Sequence, residues 1–282
     1  MNFKKSIDIF KKVSSMCKKN VNYDEDIIKA SYNDFKNLLE KDILKIGNLK
    51  LSKNIARFSL PEIITCSCNC HGCYAKKRLF NNVKKSRLNN LFLIEHALQD
   101  KILLEFLKIK LEYELKVHDF RCKLKNKKSV MRWHDSGDIY SMDYFNFILD
   151  IAFKNPYIKF YTYTKNMQVW HEYKKLQKNN KLPQNFNIVC SFIYNHVNYF
   201  DFMHDFDNEF KALKDIIKKG RKDKIKIFLC NYNFDKLPIG YRIKLYNFVK
   251  KNKDVIKMYK NHAPCGKCVK CCDYEHVIFI KH

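Results

Sequence analysis

The sequence predicts an α/β protein built from parallel βαβ units, arranged as a sheet or a partial barrel. β-rich segments recur at 129–133, 158–164, 186–193 and 224–230, and segments with helical periodicity separate them. Strands that alternate with helices pair in parallel, because each helix carries the chain back across the sheet. The 282 residues, 46% of them hydrophobic, are enough to bury a sizeable core.

Before these units, two charged amphipathic helices are predicted within residues 1–46, as a cap on the main domain. A short strand is expected at 55–64. A long helix over 88–118 follows it. The stripe expected to be buried in that helix is Leu91, Ile94, Leu98, Ile102, Phe106, Ile109 and Tyr113.

Further along, the loop HDSGD at 134–138 joins a strand to a helix that Ser141 caps and that Pro156 follows. Other helices are predicted at 167–178, 208–219 and 239–252. The predicted organisation is a helical N-terminal extension (1–54), an α/β core (55–255) and a C-terminal Cys-rich segment (256–282).

The charge balance permits a polyanionic partner such as nucleic acid. The chain has 55 Lys+Arg against 29 Asp+Glu, a formal net charge of +26. Only seven of the 55 are Arg, however, and abundant Lys, Asn and Ile are typical of an A/T-rich coding sequence. The six glycines exclude collagen and the Gly-rich phosphate loops.

The N-terminal segment lacks the apolar core of a signal peptide, and no apolar run reaches transmembrane length. We therefore expect a cytoplasmic protein without a membrane partner. In a reducing compartment, clustered thiols indicate metal before disulfides. Eight of the twelve cysteines fall in two tight groups.

The first group, TCSCNCHGCYA at 65–75, has four thiols within eight residues. Cys66, Cys70 and Cys73 are spaced C-x3-C-x2-C, and Cys68 lies between them. Three thiolates at this spacing can hold three irons of a [4Fe–4S] cluster and leave the fourth open to another ligand. The alternative is zinc, with Cys70 and Cys73 as half of a site.

The second group, at 262–276, has Cys265, Cys268 and Cys271 in C-x2-C-x2-C spacing with Cys272 adjacent. Such runs occur in ferredoxin-like iron–sulfur sites. A zinc knuckle completed by His262 or His276 is the alternative. A second iron–sulfur cluster and a zinc ion therefore both stay open here.

Polar residues also follow the predicted strands. Gly137 permits a tight turn in HDSGD. His134, Asp135 and Asp138 in this loop form an alternative divalent-metal site, as in a nuclease.

The order of these motifs resembles the radical S-adenosylmethionine (SAM) superfamily. There, C-x3-C-x2-C follows a strand, an acidic Gly loop follows the next strand, and Thr-Asn-Gly or similar ends a third. The resemblance implies a partial (β/α) barrel, a [4Fe–4S] cluster, SAM bound at its open iron, and a reductant such as flavodoxin or ferredoxin. It assigns SAM contacts to Tyr74, which follows the third cysteine, and to Ser136, Gly137, Asp138, Thr164 and Asn166.

The combination of CxxxCxxCYA and H-x-SGD also resembles an uncharacterised family of bacteriophage-encoded proteins. The functional hypothesis is thus an iron–sulfur enzyme that cleaves SAM reductively and starts radical chemistry on an unidentified substrate, for which nucleic acid or a nucleotide is one candidate. The alternatives are a zinc-stabilised, basic nucleic-acid-binding protein and a metal-dependent nuclease.

Overall fold

The computed structural model describes residues 3–17, 25–35, 40–48, 51–66, 81–190, 227–230, 239–258 and 276–279, with positions 214, 217–218 and 221–222. Its helices are α1 Phe3–Met16, α2 Glu25–Phe35, α3 Glu62–Thr65, α4 Asn81–Ala97, α5 Lys101–Lys123, α6 Met142–Lys154, α7 Met167–Lys178 and α8 Ile239–Lys251. Its strands are β1 Lys45–Ile46, β2 Ile55–Phe58, β3 Val130–Trp133, β4 Lys159–Thr164, β5 Phe186–Cys190, β6 Ile227–Cys230, β7 Ile256–Met258 and β8 His276–Phe279.

These strands form one mainly parallel sheet in the order β1-β2-β3-β4-β5-β8-β6-β7. Every neighbouring pair is parallel except β1 with β2, and β5 meets β8 at a single residue pair, Cys190 and His276. The predicted α/β class with a parallel sheet is therefore confirmed. Among the described strands, β1 and β7 are the two edges, and no pairing closes them into a barrel.

Along the consecutive strands β2 to β5, side chains alternate between the two faces of the sheet. Alternate residues such as Phe58, Trp133 and Phe160 point into the main core cluster, to which helices α1 to α7 all contribute. The residues between them point to the opposite side, where Ile55 and Tyr161 belong to a smaller cluster. We call this opposite side, from Ile55 to Tyr163, the second face.

The N-terminal helices cap the core, as predicted. Apolar residues of α1 and α2 belong to the main core cluster beside α4. The Nζ of Lys12 lies 2.8 Å from Oε2 of the buried Glu95, whose Oε1 accepts a 2.8 Å hydrogen bond from the hydroxyl of Tyr140. This buried carboxylate therefore joins α1, α4 and the segment that precedes α6.

The prediction of one continuous helix over 88–118 is wrong, and so is part of its predicted buried face. The chain forms α4 and α5 instead, and Asp100 caps α5 by accepting hydrogen bonds from the backbone N–H groups of Ile102 and Leu103. In α5, the residues that contact the core are those of the leucine stripe that includes Leu107. Four residues of the stripe predicted to be buried have between 60% and 72% of their surface exposed: Ile102, Phe106, Ile109 and Tyr113.

The predicted strand 55–64 is confirmed only over Ile55–Phe58, because Glu62–Thr65 form the helix α3 instead. The predicted strands and helices between 129 and 190 are confirmed where the structure describes them. The side chain of Ser141 accepts the Tyr144 N–H at 3.2 Å and caps α6, as the sequence indicated. Strands β1, β7 and β8 were not predicted; β1 and β7, with two and three residues, are too short to carry a pattern, and β8 lies in the predicted Cys-rich segment. Most of the predicted helix 208–219 lies outside the described residues. In the described part of the chain, no helix has the length and apolar character needed to cross a membrane.

Candidate functional site at the carboxyl edge of the sheet

Three loops meet where β2, β3 and β4 end. Because these strands are parallel, their carboxyl ends lie at the same edge of the sheet. The loop after β2 contains Ser59 to Cys66, the loop after β3 contains His134 to Asp138, and β4 ends in Thr164, followed by Lys165 and Asn166. The structure thus brings together motifs that lie about a hundred residues apart in the sequence.

Gly137 is the point of closest approach between the first two loops. Its φ is +83°, and a Cβ placed on it would lie 2.7 Å from Oγ1 of Thr65 and 2.8 Å from the carbonyl oxygen of Leu60. The neighbouring N–H of Asp138 donates a 3.3 Å hydrogen bond to the same Oγ1. Glycine is therefore required here because the loop packs against the turn that ends at Cys66.

Ser136 connects the same loop to a charged pair. Its Oγ donates a 3.0 Å hydrogen bond to Oε2 of Glu62, and Nη1 of Arg87 lies 2.7 Å from that oxygen. Its carbonyl accepts the Leu60 N–H at 3.0 Å. Glu62 is buried, so its charge depends on the arginine and the hydroxyl for stabilisation.

Asp138 ties the loop to the end of β4. Its Oδ1 accepts the Ile139 N–H at 2.7 Å and its Oδ2 accepts the Lys165 N–H at 2.8 Å. Burial raises the pKa of this carboxyl to about 6, although hydrogen bonds from Lys165 and Thr164 favour the ionised form. Both oxygens thus hold the protein's own backbone in position.

The other two predicted residues at this edge, Thr164 and Asn166, organise the start of α7. Oγ1 of Thr164 accepts the Asn166 N–H at 3.0 Å. The amide of Asn166 donates to the carbonyl of Ile139 at 2.9 Å, and its Oδ1 caps the helix by accepting the Gln168 N–H at 3.1 Å. These contacts join the third loop to the second.

His134 and Asp135 have separate partners. His134 is buried at φ +61°, and its Nε2 lies 2.8 Å from the Tyr144 hydroxyl. Burial lowers the pKa of His134 to about 3, so the ring is neutral near pH 7. Asp135 is held by Nη1 of Arg57 at 2.8 Å and by the hydroxyl of Ser59.

These contacts bear on the nuclease hypothesis. His134 faces a tyrosine, Asp135 an arginine, and Asp138 two backbone amides. Throughout the described ranges, no three His, Cys, Asp or Glu side chains are placed to hold one metal ion. The three candidates therefore do not converge on a common cation.

Opposite pH responses are expected from the two aspartates of this loop. The folded pKa of Asp138 is raised from 3.8 to about 6, so the stability it contributes is present below pH 3.8 and is lost as the pH rises through 6. Burial acts to raise the pKa of Asp135, but Arg57 and Ser59 lower it overall. Its contribution is therefore present above pH 3.8 and is lost as the pH falls through its folded value.

Urea unfolding between pH 3 and pH 7 of the wild type, Asp138→Asn and Asp135→Asn checks these signs. The stability difference between wild type and Asp138→Asn should decrease from pH 4 to pH 7. The difference for Asp135→Asn should stay constant over that range and decrease below it. Parallel pH profiles for the two variants would contradict the assigned environments.

Of the predicted metal ligands, only Cys66 lies within the described residues. It is half-buried and follows α3 in extended conformation, with φ −94° and ψ 125°. It comes directly after Thr65, so the chain enters the first cysteine group beside the loop 136–138. The other predicted ligands and Tyr74 lie outside the described residues: Cys70, Cys73, Cys265, Cys268, Cys271 and Cys272.

Sequence reasoning missed several polar residues of this edge. Glu62, Thr65 and Arg87 were not singled out, and Arg57 was not assigned a partner. A weak signal was present in the segment PEIIT, where an acidic residue follows proline at a helix start. The contacts of Arg87 carry no local signal, because its partner is 25 residues away.

Comparison with known proteins matches most of the chain to a protein family. The family model described as Gene product 88 matches residues 34–274, well over half of the chain. No curated protein and no solved structure matches the chain. The match supports the resemblance to a phage protein family, and it covers both cysteine groups and the three loops of the carboxyl edge. The chain therefore belongs to the Gene product 88 family.

Proposed function

We propose that this chain is an iron–sulfur protein of the radical SAM type. In this proposal Cys66, Cys70 and Cys73 hold a [4Fe–4S] cluster, and the loop 136–138 with Thr164 and Asn166 lines the SAM site. The second cysteine group holds a further iron–sulfur cluster or zinc. When bound, a cluster of the first kind supplies the electron that cleaves SAM and begins radical chemistry on a substrate.

The observation that carries the proposal is the packing of Gly137 and Asp138 against Thr65. This contact puts the start of the C-x3-C-x2-C segment beside the acidic glycine loop at the carboxyl edge of a parallel sheet. Ligand sites in parallel α/β sheets lie at this edge. The donor set also fits, because three closely spaced thiols match an iron–sulfur cluster with an open iron better than they match a closed zinc site.

The described side chains have positioning roles in this mechanism. Asp138 holds the loop against Lys165, and Ser136 holds it against Glu62. The ion pair with Arg87 holds the buried Glu62 carboxylate beside the loop. The result is a preorganised edge whose backbone does not need to rearrange when a ligand binds.

The test is purification without oxygen, followed by measurement of iron, sulfide and zinc and of the absorption spectrum with and without SAM. We expect bound iron and sulfide, broad absorption near about 400 nm, and a spectral change when SAM is added. Cys66→Ser, Cys70→Ser and Cys73→Ser should each lower the iron content and abolish the response to SAM. Cys122→Ala is the matched control, because this buried thiol lies on α5, outside both cysteine groups.

Zinc without iron would overturn the proposal in favour of a zinc-stabilised protein. Bound iron with an absorption spectrum that does not change when SAM is added would also overturn the proposal, because the cluster would then have a structural role. Iron loss in Cys122→Ala equal to that in Cys66→Ser would show that the cysteine variants act through folding.

A further inference from the structure

The second face of the sheet carries two arginines side by side, close to the carboxyl edge. Arg57 of β2 lies opposite Arg132 of β3 in the parallel register, and Arg132 lies opposite Tyr161 of β4. Adjacent strands are about 4.8 Å apart, so the two arginine backbones are near neighbours. The residues beside them along each strand belong to the main core cluster, which places both arginines on the other side of the sheet.

The guanidinium of Arg132 lies over aromatic rings. Its guanidinium carbon lies 4.9 Å from the ring centroid of Tyr163 and 6.0 Å from that of Tyr161. Arg132 and Tyr163 are half-buried, so both residues are partly accessible to solvent. A guanidinium stacked on tyrosine is a flat cationic surface that suits both a nucleobase and a phosphate.

The head group of Arg57 is fixed beside this stack. Its Nη1 lies 2.8 Å from Oδ2 of Asp135, and its Nε donates a 3.0 Å hydrogen bond to the carbonyl of Gly47. Although burial acts to raise it, the pKa of Asp135 is lowered, because Arg57, Arg132 and Arg87 all act on its carboxylate. Arg57 contacts this carboxylate directly, and the other two arginines act on it electrostatically.

Composition makes this arrangement informative. Arginine supplies only seven of the 55 basic residues, so a basic surface position in this chain is ordinarily lysine. Three of the seven arginines nevertheless lie within electrostatic range of one aspartate. The properties that distinguish arginine from lysine are a planar stacking surface and paired hydrogen-bond donors.

We propose that the surface made of Arg57, Arg132 and Tyr163, which packs on the buried Tyr161, binds a nucleotide. The base stacks on the Arg132–Tyr163 pair, and the phosphate faces the guanidinium groups of Arg57 and Arg132. The surface adjoins the carboxyl edge at which the SAM site is proposed. If the bound nucleotide is the substrate of the enzyme, that assignment rests on the proposed function. The binding step itself requires no cluster. A free mononucleotide and single-stranded nucleic acid share this chemistry.

Fluorescence anisotropy with a labelled single-stranded oligothymidine of about twelve nucleotides tests the binding. We expect Arg132→Ala to raise Kd by about tenfold or more, because both a stacking surface and a phosphate contact are lost. Arg132→Lys keeps the charge and should still weaken binding, which a purely electrostatic site would not show. The matched control is Arg121→Ala, a loss of one exposed arginine on α5, expected within about twofold of wild type.

Equal weakening by Arg121→Ala and Arg132→Ala would overturn the inference, because the net charge would then account for binding. Unchanged binding in Arg132→Ala would overturn it as well. Thermal unfolding of each variant establishes folding, and Tyr163→Leu provides a second variant that leaves both arginines in place and should also weaken binding.

Competition with a 5′-mononucleotide distinguishes the two sources. If the mononucleotide displaces the oligothymidine, the surface binds a single nucleotide. If the oligothymidine stays bound in its presence, the surface binds the single-stranded polymer. Binding by neither would overturn the inference. In the Cys66→Ser variant, retained binding with iron lost would show that the nucleotide site is independent of the cluster. Loss of binding together with iron would overturn that independence.

Discussion

Replacing Gly137 by alanine is expected to lower the free energy of unfolding by about 3 kcal/mol or more, the largest effect of any single methyl group predicted at this edge. Two costs add. The backbone φ of +83° disfavours any residue with a Cβ, and that Cβ would lie 2.7–2.8 Å from Leu60 and Thr65. The added methyl group must therefore push the loop 136–138 away from the turn that precedes Cys66. Chemical denaturation measures the stability, and the iron content measured alongside it reports on the cysteine loop.

Gly240→Ala is the control for this substitution. Gly240 lies in α8 with nothing within 4 Å of an added Cβ and without a positive φ. Alanine favours helix more than glycine does, so this variant should be neutral or more stable by up to about 1 kcal/mol. Equal effects of the two substitutions would contradict the close packing of Gly137 against Thr65.

Two neighbouring residues of α5 should differ sharply when each is changed to alanine. Leu107→Ala is expected to lower the free energy of unfolding by about 2–5 kcal/mol, because it removes a fully buried side chain from the main core cluster. Phe106→Ala removes a larger side chain but should change stability by no more than about 0.5 kcal/mol, because 60% of its surface is exposed.

Urea denaturation of the two variants at the same pH provides the measurement. Both substitutions raise helix propensity by about 0.5 kcal/mol or less, which is small beside the expected burial effect at Leu107. If Phe106→Ala lowered the free energy of unfolding more than Leu107→Ala, the side of α5 that contains Phe106 would be the buried one, as the sequence predicted. That result would contradict the orientation of α5 in the structure.

That contrast explains where sequence reasoning failed in the fold. α5 has apolar residues on two sides, a leucine stripe through Leu107 and Leu111 and a mixed stripe through Phe106 and Tyr113. Helical periodicity finds both stripes but cannot choose between them, since the choice depends on which side meets the sheet. The helix break was missed for a related reason: Asp100 caps α5, but the apolar spacing continues across it.

At the candidate site, the structure gives protein partners to residues that the sequence singled out only as SAM contacts, and the ligand roles stay predictions. Asp138 and Ser136 were expected to face SAM. In the structure, Asp138 accepts the N–H groups of Ile139 and Lys165, and Ser136 donates to Glu62. A polar residue in a loop looks the same in the sequence whether its partner is a ligand or the backbone of the next strand.

For the arginines, the structure strengthens an indication that the sequence had weakened. In the sequence, their scarcity weakened the indication of nucleic acid that a net charge of +26 provides. In the folded chain, Arg57 and Arg132 lie in register on neighbouring strands, and scarcity becomes a reason to regard their placement as specific. Residues 75 positions apart cannot be recognised as neighbours from composition.

The sequence by itself determined the α/β class, the positions of β3, α6, β4 and α7, and the two cysteine groups, because periodicity, capping residues and spacing are local properties. Only the tertiary structure decided that Gly137 packs on Thr65, that α5 buries its leucine stripe, and that two arginines share one face of the sheet. These depend on parallel strand pairing, which brings distant segments into register through backbone hydrogen bonds that carry no side-chain signature.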